Sequence, residues 1–244
     1  MYKTLKEGQE LAVALRRELF EIENVDIVVC PPYTLLAYLA DALETSNISV
    51  GAQDVFWEDE GAFTGEVSCR MLKDAGAKYV IIGHSERRLY FQETNEAVNK
   101  KIKAALKSSL TPIACVGETL SEREAGKTFK VLEDHIINGL ADLSAEEAQK
   151  LVIAYEPVWA IGTGKTATPA QAQEAQKYIR DLLVKLYNKE VANNIRIQYG
   201  GSVKPENIVE LMKQPDVDGA LVGGASLQIE SFSNIVKKAS EVKK

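Results

Sequence analysis

Seven short strand-like runs, most of them continuously apolar, constrain this chain more than any other feature. They occupy 26–30, 48–53, 79–83, 111–116, 151–155, 195–199 and 219–222, and amphipathic stretches separate them. A strand with one face in water alternates apolar and polar residues, whereas a parallel strand covered on both faces does not need to. Between the runs lie helix signals. Thr4-x-x-Glu7, Ser121-x-x-Glu124 and Thr168-x-x-Gln171 each fit a capping box, and Pro169 and Pro205 suit the first turn of a helix. Val98, Ile102 and Ala105 mark one helix face. No linker or low-complexity segment interrupts the repeat. An uninterrupted βα repeat of this length predicts one α/β domain over 1–244, a (β/α)8 barrel.

The count is one strand short. The first predicted element is a helix, Thr4 to about Phe20, with only Met1, Tyr2 and Lys3 before it. A closed eight-stranded barrel requires a strand ahead of that helix. Without one, the strands on either side present unpaired edges, and Leu11, Ala12, Leu15 and Leu19 lose their sheet partner. The expected architecture is therefore a barrel lacking its first strand. It carries the further expectation that a dozen or so residues, ahead of an internal Met1, complete the working protein.

Composition narrows the function. The net charge of −6 argues against a nucleic-acid or anionic-membrane surface. It leaves room for a small anionic substrate, because backbone N–H groups bind phosphate locally. Cys30, Cys69 and Cys115 are scattered and lack metal or redox spacing, which points to free thiols in a reducing compartment. His84 and His135 are too few and too isolated for an all-histidine metal site. No apolar run is long enough to span a bilayer, and no signal peptide is evident.

Residues suited to chemistry collect just after the strands, where parallel barrels place their active sites. The run ending at Tyr155 delivers Glu156, and Pro157 biases it toward an extended backbone. Gly162 and Gly164 follow in a loop, and Thr168 and Pro169 open the next helix. A carboxylate at a strand tip below a glycine loop is how a general base is set under a lid. A lone surface glutamate after a strand is the plainer reading, and it weakens as the other loops accumulate. After the run 79–83, His84 falls at the start of the helix that follows that strand, a position that lowers an imidazole's pKa and keeps it neutral. A satisfied structural histidine accounts for His84 equally well. Gly200-Gly201-Ser202 and Gly223-Gly224-Ala225-Ser226 follow the last two strands, where such barrels commonly hold a phosphate. Cys115 reads as a buried core thiol, His135 as a surface residue, and Trp159 as a lid-hinge or core residue. Phe63, in the loop 61–66, suggests a contact with another subunit, and an ordinary tucked loop fits the pattern nearly as well.

Together these residues closely resemble the triosephosphate isomerase family. The resemblance rests on 154–164, Gly83-His84-Ser85-Glu86-Arg87-Arg88, Cys115-Val116-Gly117-Glu118-Thr119, Tyr199-Gly200-Gly201-Ser202, 221–227 and the loop Gly61-Ala62-Phe63-Thr64-Gly65-Glu66. It implies a TIM barrel that interconverts dihydroxyacetone phosphate and D-glyceraldehyde 3-phosphate. Glu156 would be the base and His84 the neutral electrophile, their protonation states set by their surroundings beneath a closing lid. Ser85, Glu86 and Cys115 would support the site. Gly162, Ser202, Gly223 and Gly224 would hold the phosphate under a Pro157–Ala167 lid. The resemblance also implies a homodimer, with Thr64 reaching the neighbouring subunit, and neither metal nor organic cofactor. One departure stands out. Family members begin with a strand ending in Gly-Asn-x-Lys-Met, whereas this chain begins Met1-Tyr2-Lys3-Thr4, and Lys3 does not match that catalytic lysine. The competing expectation is thus a catalytically impaired chain that only binds phosphate or a partner. Another phosphate-binding barrel enzyme fits the glycine loops but not the Glu156-Pro157-Val158-Trp159 segment. A dinucleotide-binding protein is the weakest reading, since no GxGxxG is present.

Overall fold

The computed structural model describes residues 1–161 and 166–242. Seven strands are found among them: β1 (Ile27–Val29), β2 (Ile48–Ala52), β3 (Tyr79–Ile82), β4 (Thr111–Val116), β5 (Val152–Tyr155), β6 (Arg196–Tyr199) and β7 (Gly219–Ala220). All are parallel, and each pairs with the next in chain order. The helices are α1 (Leu5–Leu19), α2 (Tyr33–Leu43), α3 (Cys69–Asp74), α4 (Ser85–Phe91), α5 (Asn95–Lys107), α6 (Leu120–Glu124) and α7 (Thr128–Gly139), followed by α8 (Ala145–Ala148), α9 (Pro169–Leu186), α10 (Lys189–Asn194), α11 (Ile208–Met212) and α12 (Ile229–Val242).

The unbroken apolar runs have a direct cause. Successive side chains along a strand point to opposite faces. On β4 and β5, Ile113, Cys115, Val152 and Ala154 join Ile81 in a small inner cluster. Ala114, Val116, Ile153 and Tyr155 join the large outer core beneath the helices. Both faces exclude water, so both carry apolar residues. Glu156 continues the inner series of Val152 and Ala154. The register sets Val116 beside Tyr155 and Tyr155 beside Tyr199. The residues that follow them (Gly117, Glu156 and Gly200) therefore emerge side by side.

The sheet curls without closing. Among the described residues β1 pairs only with β2, and β7 only with β6. The helices nonetheless bridge the opening, because α1 packs against both α2 and α12. This is why Ala12, Leu15 and Leu19 are buried without a strand beneath α1. A cavity of about 1870 Å³ extends from this opening to the carboxyl ends of the strands.

Helix starts follow local chemistry with two corrections. Glu7 closes the box at Thr4, and Gln171 the one at Thr168, with Pro169 in the first turn. The expected Ser121–Glu124 box is not formed. The backbone enters α6 two residues earlier, so Thr119 caps it and the Glu122 carboxylate accepts the Thr119 N–H at 2.8 Å. Pro205 lies ahead of α11 rather than in its first turn, because the Asn207 side chain closes the preceding turn by accepting the Lys204 N–H at 2.8 Å.

One buried ionic cluster ties the top of β2 to α4 and α5. Lys101 Nζ lies 2.7 Å from Asp54 and 2.8 Å from Glu93, and Arg87 Nε lies 2.9 Å from Asp54 and 3.0 Å from Glu93. Burial raises the Asp54 pKa, the Glu93 charge adds to that, and Lys101 and Arg87 oppose it.

Candidate active site

Glu156 leaves β5 locked by backbone. Its N–H donates to Val116 O at 2.7 Å, and the Gly200 N–H donates to Tyr155 O at 2.7 Å. Neighbours on both sides approach too closely for side chains. A Cβ on Gly117 would fall 1.7 Å from Glu156 O, and one on Gly200 would fall 3.0 Å from Glu156 Cγ. The carboxylate that results is 2% exposed. Its oxygens accept the Ser85 N–H at 3.0 Å and the Ser85 hydroxyl at 3.2 Å. His84 Nε2 stands 3.0 Å from Glu156 Oε1. Cys115 lies buried close by, and burial followed by the Glu156 charge pushes its thiol well above the ordinary range, so it remains protonated.

His84 caps α4, and its Nδ1 accepts the Glu86 N–H at 3.2 Å. An accepting Nδ1 places the imidazole hydrogen on Nε2, facing Glu156. Burial lowers this histidine's pKa, but the hydrogen bond to Glu156 and the Glu156 charge outweigh burial and raise it above 6.5. Sequence position alone predicts a lowered value. The difference arises because the carboxylate sits directly on Nε2, while the helix terminus acts on the far nitrogen. The exposed Glu86 carboxylate is 3.9 Å from Nδ1.

The segment after Glu156 is fastened from below by Glu118, a fully buried carboxylate. It accepts the Tyr155 hydroxyl at 3.1 Å, Trp159 Nε1 at 2.9 Å and Arg123 at 3.1 Å. Glu118 O also accepts the Val158 N–H at 3.1 Å. Trp159 is thus a core residue, buried within a 3-10 turn over Val158–Ala160. Gly162, and with it the middle of the expected lid, lies outside the described residues.

His84, Glu86, Glu156, Ser202, Gly223 and Gly224 all line one cavity. The two glycine pairs differ in kind. Gly200 is required by packing against Glu156, whereas a Cβ on Gly223 or Gly224 would meet no atom within 4 Å. Among the described residues no packing demands glycine there, which suits close approach by a ligand to the first turn of the 3-10 helix Gly224–Leu227. Thr64 lies apart, in an exposed loop beside Phe63. Among the described residues no group of three or more potential metal ligands converges. No helix of the described residues is long and apolar enough to cross a membrane.

Sequence reasoning missed part of the machinery. His135 is half-buried rather than superficial, and its Nδ1 accepts the Gly117 N–H at 3.3 Å. Its place three residues after the buried Leu132 was the available signal. Arg88 Nε donates to Gly83 O at 2.9 Å and Arg88 Nη2 to Cys115 O at 3.4 Å, joining the loops after β3 and β4.

A family model described as triosephosphate isomerase matches residues 1–239. The chain is 60% identical to the triosephosphate isomerase of Carboxydothermus hydrogenoformans over 97% of its length and 94% of that protein. It is likewise 60% identical to the enzyme of Moorella thermoacetica, with the same coverage of both chains. The crystal structure of triosephosphate isomerase from Bartonella henselae superposes with a TM-score of 0.88 at 39% identity, covering 98% of this chain and 94% of that one.

Proposed function

The chain belongs to the triosephosphate isomerase family, and from that premise we propose that Glu156 and His84 interconvert dihydroxyacetone phosphate and D-glyceraldehyde 3-phosphate in this cavity, a step of glycolysis and gluconeogenesis. The observation that carries the reading is a buried carboxylate 3.0 Å from an imidazole Nε2, in one cavity with an unfilled glycine turn. Glu156 takes a proton from the carbon beside the carbonyl and returns it to the neighbouring carbon. His84 Nε2–H donates to the oxygen that gains charge in the enediolate. Ser202, Gly223 and Gly224 hold the phosphate, with Gly162 as a fourth donor. Ser85, Glu86 and Cys115 support the pair. Similarity over 97% of the chain favours this reading over one in which the chain only binds phosphate. The three free thiols suit a reducing, cytoplasmic setting.

Isomerisation of glyceraldehyde 3-phosphate by the purified chain tests the proposal. His84→Gln should lower kcat by about 10²-fold or more while KM stays within a few-fold, because the electrophile acts on charge that develops after binding. A loss confined to KM moves His84 to ground-state binding. The His84–Glu156 pairing also has a pH signature. Because the folded pKa is raised, its stabilisation is complete below about pH 6.5 and fades as pH climbs through the raised value.

The reading includes a homodimer. Leu89, Tyr90 and Phe91, three successive large apolar residues on α4, are 68%, 70% and 66% exposed, and Phe63 is 43% exposed. Arg87, next to them, contacts Asp54 at the start of the loop that carries Phe63 and Thr64. A second copy of the chain would cover these residues. Sedimentation should give a dimer for the parent and a monomer for Tyr90→Glu; a monomeric parent removes the dimer from the proposal.

A further inference from the structure

Gly117 lies at the centre of the anchoring of Glu156. Val116 O, just before it, accepts the Glu156 N–H, and Glu118 O, just after it, accepts the Val158 N–H. Those two carbonyls point toward β5. The Gly117 N–H points the other way, toward α7, and His135 Nδ1 accepts it at 3.3 Å. Because Gly117 is pressed against Glu156 O, any shift of Gly117 moves the wall behind the base. A half-buried N–H without an acceptor is costly, so the acceptor decides where this segment rests.

We propose that His135 is a positioning residue of the isomerase site, holding Gly117 through an unprotonated Nδ1 and so fixing the backbone from which Glu156 projects. The claim rests on the isomerase reading given above. His135 never touches the substrate cavity. It is surrounded by Arg88 from α4, Glu122 from α6, Asp134 on its own helix and the Gly117 backbone. Burial foremost, and the Arg88 charge next, push its pKa down to about 4, while Asp134 and Glu122 oppose them. The acceptor nitrogen is therefore available across the neutral range.

Two substitutions of matched shape isolate the acceptor. His135→Asn places an amide oxygen where Nδ1 stands, and His135→Leu places a methyl group there. The measurements are kcat, KM and the hydrogen-exchange rate of the Gly117 amide in the full-length chain. His135→Leu should lower kcat by about tenfold with KM within twofold, and should speed Gly117 exchange. His135→Asn should restore both. If His135→Leu does not fold, His135→Gln replaces it, since its oxygen reaches the Nε2 position instead and should lose what asparagine keeps. Equal kcat in the parent and the acceptor-less variant overturns the proposal, as does an equal loss with asparagine and leucine. A parent chain that does not isomerise triose phosphates defeats the isomerase reading instead, and Gly117 exchange then still decides whether His135 holds the segment.

Discussion

Glu156→Gln should lower kcat by about 10²- to 10⁴-fold, the range over which a positioned general base contributes. The amide keeps the size of the carboxylate and can still accept from Ser85, so the far-UV signal and the melting temperature should change little. What it loses is the capacity to take a proton from carbon. The burial of Glu156 makes the prediction sharp. At 2% exposure it stands in no bulk solvent, and the nearest ionisable neighbours, His84 and the protonated Cys115, are poor substitutes for it. Glu156→Asp should also be slow, since it withdraws the carboxylate by one methylene from a reaction that tolerates little misplacement. An undiminished rate in either variant removes Glu156 from the base role. A fall in rate accompanied by unfolding would instead mean that Glu156 mainly holds Ser85 and the start of α4.

Lys101→Met should destabilise the fold by about 3–5 kcal/mol, because removing one member of a buried ionic cluster leaves uncompensated charge. For a chain of this length that lowers the melting temperature on the order of 10 °C. Lys101 and Glu93 have side chains only 5% and 3% exposed, so water cannot replace the missing cation. Asp54 already has a raised pKa with Lys101 present, because burial outweighs the cations. Without Lys101 its pKa should rise further, and the penalty should be largest at neutral pH and shrink on acidification as the carboxylates take protons. The double variant Lys101→Met, Glu93→Gln should recover part of the loss. A single-variant cost below about 1 kcal/mol would mean that the cluster is solvated.

The barrel was legible because its determinant is local. Strands covered on both faces can be apolar along their whole length, as 112–116 and 151–155 are, whereas β6 keeps Arg196 and Gln198 on one face. Other features depend on backbone placement that no local pattern fixes. Thr119-x-x-Glu122 and Ser121-x-x-Glu124 overlap in the sequence, and only the point where the chain turns into α6 chooses between them. The expected strand at 219–222 is observed only over Gly219–Ala220, paired with β6. Glu156 and His84 were legible as polar residues at strand tips. Their direct contact was not, and that contact reverses the expected direction of the His84 pKa. Gly200 and Gly223 look alike in sequence. Structure separates them, since one is required by a neighbouring main chain and the other by nothing among the described residues. His135 was read as a surface residue and Glu118 was given no role, because their contacts are to atoms 18 and 41 residues away, on Gly117 and Trp159.

The unpaired edges of β1 and β7 make the sheet an arc among the described residues, and an arc can be taken apart from its ends. Removing β7 breaks bonds along one side only, whereas removing β5 breaks them along two. Local opening favours the element with fewer buried contacts and more solvent-facing hydrogen bonds. Glu156, Gly117 and Gly200 hang from β4, β5 and β6, inside the arc. Gly223 and Gly224 follow β7, its loose end. The two halves of the cavity should therefore open separately: the backbone around Glu156, inside the arc, should be among the last to dissolve, and Gly223 and Gly224 should open with the end strand.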